Sequence, residues 1–152
     1  MLHKPNDTLT VAEVFALFAE KFRGQVIPPA VLHNCKRIVI DWYAALLPGS
    51  IIAPATLLEK ALADEMDHGE ARLASGRRST ARAAALINGT AAHTVEVDDI
   101  YREAIYHPGA PTIAAALAAA QASGVNGLAF IRAVIVGYEV STRIGAAMGR
   151  AH

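Results

Sequence analysis

Hydrophobic residues recur at helical spacing along most of the chain, and the breaks between the runs predict about six helices. Thr10, followed three residues later by Glu13, reads as a capping box ahead of Val11, Val14, Phe15, Phe18 and Phe22, a run that ends at Gly24. Pro28 and Pro29 open a second helix whose Val31, Leu32, Cys35, Ile38, Val39, Trp42 and Leu46 share one face, with Pro48-Gly49 as its stop. Pro54 begins a third with Leu57, Leu58 and Leu62, and the polar run from Asp64 to Gly76 predicts a loop or a weak helix end. Ser79 or Thr80 caps a fourth helix, which the spacing carries through Asn88-Gly89 to about Val97. From Asp98 to Ala110 no period is sustained. Pro111 is then the expected first residue of a fifth helix ending at Ser123-Gly124, and Asn126 caps the last and longest. No strand-like alternation of useful length is visible. The expected class is all-α, with residues 1–152 forming a single, partial helical domain.

Charge sharpens this picture at the carboxyl-terminal end. Between Thr112 and Gly149 the charged residues are Arg132, Glu139 and Arg143, so the last two helices are apolar nearly all round and are expected to be central, buried or covered by another surface. Gly137, Ser141, Gly145 and Gly149 recur every four residues and form a strip along which another backbone can approach closely. Such apolar helices predict a homo-oligomer, such as a homodimer, or a partner chain.

Composition mainly excludes. Lys+Arg and Asp+Glu balance at 14 each, which leaves no global field for a nucleic-acid backbone or an anionic membrane. The longest uncharged stretch, Ala104 to Ile131, is broken by Pro108, Pro111 and Ser123-Gly124 and fails as a membrane span. The start, with Pro5, Asn6 and Asp7, lacks the apolar stretch of a signal peptide and reads as a frayed entry. The lone Cys35 sits in an apolar helical pattern and suits a reducing compartment. The expectation is a soluble cytoplasmic protein in which Cys35 packs a core.

Reactive groups concentrate between Asn88 and Pro111, which holds His93 and His107 with Glu96, Asp98, Asp99 and Glu103. Were the fourth helix to run through this stretch, His93, Glu96 and Ile100 would stack on one face with Asp99 a turn beyond Glu96. Clustered carboxylates raise at least one pKa and an imidazole exchanges protons near neutrality, so general acid-base chemistry is feasible, the alternative being an ordinary helix contact of His93 with Glu96 and a helix end solvated by Asp98-Asp99. Pro108-Gly109 fixes His107 in a turn, and Tyr101, Arg102 and Tyr106 stand nearby to orient or neutralise a bound acid. His93, Glu96, Asp99 and His107 include metal donors, but the spacing matches neither HExxH nor a paired-cysteine framework, and no metal is expected. No nucleotide-binding glycine motif and no GxSxG serine occurs, and Arg77-Arg78 reads as a charged turn without an assigned role.

Asn88-Gly89, His93, the acidic run Glu96-Val97-Asp98-Asp99, and His107-Pro108-Gly109 before an alanine-rich helix together resemble the amino-terminal part of MmgE/PrpD proteins. That family includes 2-methylcitrate dehydratase, cis-aconitate decarboxylase and iminodisuccinate epimerase. The resemblance extends over most of the chain, including the helix with Asp41 and the Gly137-Tyr138-Glu139 helix. It implies a lyase or isomerase acting on a small di- or tricarboxylic acid, without metal or organic cofactor, and a fold completed by further helices and an α/β lid domain that this chain lacks.

Carried over by position, the family's active-site histidine, first acid and hydroxyl residue fall on His107, Glu96 and Ile100. Glu96 replaces the common aspartate and moves the charge out by one methylene; Ile100 replaces a hydroxyl and cannot donate a hydrogen bond, which implies a different substrate. The family's lysines and its later histidine-threonine motif fall beyond His152, so a missing carboxyl-terminal part would have to supply them. The resulting expectation gives His107, Glu96 and Asp99 the catalytic roles, with His93, Asp98, Ile100, Tyr101 and Arg102 meeting the substrate. The competing expectation is a non-catalytic helical module kept for oligomer formation.

Overall fold

The computed structural model describes residues 9–150, so the expected frayed entry at Pro5 to Asp7 lies outside the described residues. Six helices form: α1 (Val11–Arg23), α2 (Pro29–Gly49), α3 (Ala55–Ala61), α4 (Ala81–Thr94), α5 (Gly109–Ala122) and α6 (Gly127–Met148). The chain is thus largely helical, as its periodicity predicts. At α1 the Thr10 side chain accepts from the Glu13 N–H while the Glu13 carboxylate accepts from the Thr10 N–H, which satisfies two otherwise orphaned donors. Thr80 and Asn126 cap α4 and α6 in the same one-sided way, accepting from the N–H groups of Ala83 and Ala129.

One expectation needs correction between α3 and α4. The polar stretch there contains a short 3-10 turn, Ala63–Glu65, and an antiparallel ribbon of β1 (Met66–Arg72) and β2 (Arg78–Ser79). Both Met66 and Ala71 pair with Ser79, so a bulge separates the two buried residues of β1 and erases the alternation by which a strand is recognised. Arg77 and Arg78 are occupied by this ribbon: Arg77 pairs with Asp67 at 2.7 Å and Glu59 at 3.4 Å, and Arg78 pairs with Glu70.

The core lies where α4 meets α2 and α5. Trp42 and Leu46 from α2, Ile87 from α4, Ile113 from α5 and Val134 from α6 are its large members, set among buried alanines at 83, 84, 91, 92, 114 and 118. Small residues bring the backbones close. At Gly49 an added Cβ would lie 1.9 Å from the Ala91 carbonyl oxygen, and at Gly89 it would lie 3.2 Å from that of Ala110. Asn88 is buried beside them but satisfied, donating from Nδ2 to the Arg72 carbonyl at 2.9 Å and accepting from the Ala74 N–H at 3.1 Å. It pins the end of the ribbon to α4. Cys35 is buried, its thiol pushed up to about 11 by desolvation, which suits packing and not reactivity.

The last two helices divide. α5 is central, with five buried residues, whereas Val134 is the one fully buried residue of α6, and Leu128, Ile144 and Met148 are exposed. The expected burial of both therefore holds for α5 alone among the described residues. The small-residue strip of α6 packs within the chain: a Cβ at Gly137 would lie 2.4 Å from Cγ2 of Thr112, and one at Gly145 would lie 2.8 Å from Ala104 Cβ, while Gly149 closes the helix at φ +67°. No helix among the described residues is long and apolar enough to cross a membrane.

Candidate active site

Two boundaries decide the site. α4 ends at Thr94, short of Val97, and Glu96 then takes φ +55°, a left-handed conformation that turns the chain back on itself. Consequently His93, Glu96 and Ile100 do not share a helical face. α5 begins at Gly109, earlier than Pro111, which occupies its first turn, where a missing N–H forfeits no helical bond. Between them the backbone pairs Tyr101 with Tyr106, the Tyr101 N–H donating to the Tyr106 carbonyl at 2.8 Å, and this tight loop delivers His107 to the head of α5.

The reversal places Asp98 beneath both imidazoles. Its side chain is 1% exposed; Nδ1 of His93 lies 3.2 Å from each carboxylate oxygen, and Nδ1 of His107 lies 3.3 Å from Oδ1. The His107 contact is close enough for an ion pair but off the hydrogen-bond direction, which leaves a buried nitrogen short of a partner. Such loose geometry commonly tightens when a site is occupied. The two rings stand 4.7 Å apart, centroid to centroid. On its other side His93 Nε2 is 3.7 Å from Glu96, whereas His107 Nε2 has no partner among the described residues.

Asp99 points elsewhere. Its Oδ1 accepts from the Gly109 N–H and its Oδ2 from the Tyr138 hydroxyl, both at 2.9 Å, so it ties the head of α5 to α6. A side chain at Gly109 would collide here, since an added Cβ would lie 2.5 Å from Asp99 Oδ1. Burial pushes the Asp99 carboxyl up, partly offset by those two hydrogen bonds, and Asp98 and Asp41 push it the same way as burial. Burial and the neighbouring Asp99 carboxylate likewise raise the Tyr138 phenol.

The folded state therefore holds the Asp99 proton more tightly than the unfolded chain does. Its contribution to stability is present below the ordinary value of 3.8 and is lost as pH rises from there through the raised value. Asp99→Asn retains an acceptor for Gly109 but cannot ionise. Urea titrations at stepped pH should show the wild type losing ground to this variant as pH rises above about 4; a pH-independent difference would contradict the assignment.

Above the histidines opens a cleft of about 1070 Å³, lined among others by His93, Glu96, Tyr106, His107, Thr90 and Arg82. Of the residues expected at the site, His93, Glu96 and His107 line this cleft together. Asp98 supports the rings from below, and its near-zero exposure keeps it from the cleft itself. Asp99 lies in the α5–α6 contact. Ile100 is 51% exposed, Arg102 is exposed, and Tyr101 donates to Glu103 at 2.5 Å; none of the three lines the cleft. Each of these departures has the same cause, the loss of helical direction after Thr94. Tyr106 also lines the cleft, and its hydroxyl is buried without a partner. His93, Asp98 and His107 also place one potential ligand atom each within 4.8 Å of one another, a donor set chemically able to take a cation.

The largely helical fold is accompanied by a similarity of sequence to a known family. The profile of the MmgE/PrpD N-terminal domain matches residues 13–152, and the chain belongs to that family. Among curated proteins it is similar to the cis-aconitate decarboxylase-like protein oryM of Aspergillus oryzae (strain ATCC 42149 / RIB 40), at 34% identity over 130 residues. That alignment covers 80% of this chain and 27% of the relative, so the chain spans about a quarter of the relative's length. No solved structure matches.

Proposed function

We propose that this chain supplies the histidine half of a lyase or isomerase site that moves a proton at the carbon next to a carboxylate of a small di- or tricarboxylic acid. The observation that carries the reading is the Asp98 carboxylate, 1% exposed and held at 3.2 and 3.3 Å behind two imidazoles that line the cleft. A buried acid behind a ring fixes its tautomer and stabilises its charged form, as a general base requires. His107 is the proton carrier, because its Nε2 is free toward the cleft while that of His93 faces Glu96. Asp98 is the positioning residue for both rings. His93 and Glu96 flank the bound acid.

Negative charge develops on the carboxylate oxygens as the proton leaves, and cationic donors must meet it. Arg82 lines the cleft but is paired with Glu65, so this chain offers no free cation there among the described residues. That deficit fits a site completed by the lysines which the family resemblance places beyond residue 152. The exposed apolar positions of α6 support association with such a part or with a second copy. The relative's decarboxylase-like name supports loss of carbon dioxide, in which the carbon that loses its carboxylate takes up a proton, whereas dehydration and epimerisation begin by removing one.

The test is proton exchange in deuterium oxide. The intact protein carrying this chain, incubated with a panel of small di- and tricarboxylic acids, is expected to exchange the hydrogen next to a carboxylate on at least one of them, read by NMR. Absence of exchange, dehydration and decarboxylation across the panel would overturn the reading.

A further inference from the structure

Resting on that acid-base reading, we propose that the acid carries an unbranched aliphatic substituent, which lies along the apolar length of the same cleft. The cleft follows one face of α4, where Arg82, Ala85, Leu86, Gly89, Thr90 and His93 fall on successive turns. From Ala85 to His93 the helix rises about 12 Å, far more than a short polycarboxylate spans. The volume of about 1070 Å³ lies at the top of the range for pockets that hold drug-sized ligands.

The chemistry of the lining is uneven along this length. The titratable groups His93, Glu96 and His107 gather at one end. Past the Thr90 and Thr94 hydroxyls, the lining is Ala85, Leu86 and Gly89 of α4 with Pro54, Ala110 and Pro111, which carry no side-chain hydrogen-bonding group. At the far end Arg82 is held by Glu65. A second carboxylate placed there would meet no free cation among the described residues, whereas a hydrocarbon chain needs none. Leu86, 46% exposed on α4, would be partly covered by it.

Binding of an n-alkylsuccinic acid series, from ethyl to decyl, to the intact protein by isothermal titration calorimetry tests this directly. Kd is expected to fall about three- to four-fold per added methylene until the groove is full, and then to level off. Leu86→Asp should flatten that dependence and Leu86→Met should retain it. Affinity independent of chain length, affinity that weakens with length, no binding at any length, or a slope untouched by Leu86→Asp would each overturn the proposal. The two readings fail separately. Exchange on succinic acid with a flat chain-length series removes the aliphatic subsite alone, while a steep series with no exchange on any member removes the acid-base reading.

Discussion

His107→Ala is expected to lower proton exchange at the substrate carbon by ~10²- to 10⁴-fold in the intact protein, the range that a positioned general acid or base supplies. His107 sits at the head of α5 beside the buried Asp98 carboxylate and lines the cleft. Removing its ring deletes an imidazole whose Nε2 has no protein partner among the described residues. Asp98→Asn should fall between the wild type and His107→Ala. It keeps the shape of the support but loses its charge, so the exchange rate should fall while the Kd of the acid is kept. A purely structural role for Asp98 would weaken binding and rate together. Full activity in His107→Ala would show that the proton is carried by another group.

Gly49→Ala is expected to be the most damaging single substitution for the fold. The added methyl group would stand 1.9 Å from the Ala91 carbonyl oxygen and 2.9 Å from its carbon, within α4 and not at a flexible side chain. The clash can be relieved only by separating α2 from α4, the contact that buries Trp42, Leu46 and Ile87. Overpacking typically costs about 1–3 kcal/mol, and a backbone collision between two core helices belongs at or above the upper end. Gly127 is a useful contrast, since nothing lies within 4 Å of a Cβ built there. Gly127→Ala, in the first turn of α6, should be neutral or stabilising by up to about 1 kcal/mol. Chemical denaturation of both variants checks the pair; a mild effect at Gly49 would mean that the α2–α4 contact yields more readily than its geometry indicates.

The helices and their caps were legible because they depend on neighbours within a turn. Thr10 with Glu13, Thr80 and Asn126 each act on an N–H three residues away, and each cap stands where the sequence puts it. The site was legible as a segment, since His93 and His107 share one cleft although 14 positions apart. Its internal order was not. An uninterrupted helix to Val97 would aim Glu96 and Ile100 with His93; the turn at Glu96 instead puts Asp98 under the rings and sends Ile100 to solvent. The ribbon at Met66–Arg72 was hidden for a related reason, its bulge spacing two buried residues five apart.

What the sequence determined by itself is the largely helical character, most of the places where helices start, and the family to which the chain belongs, because periodicity, capping and motif order are local properties of the chain. Tertiary structure alone decided that Asp98 and not Glu96 backs the two imidazoles, that Asp99 joins Tyr138 to Gly109, and that α5 and not α6 is central. Those outcomes depend on where a chain reversal brings residues far apart in sequence, and a carboxylate's role is set by the groups it meets there.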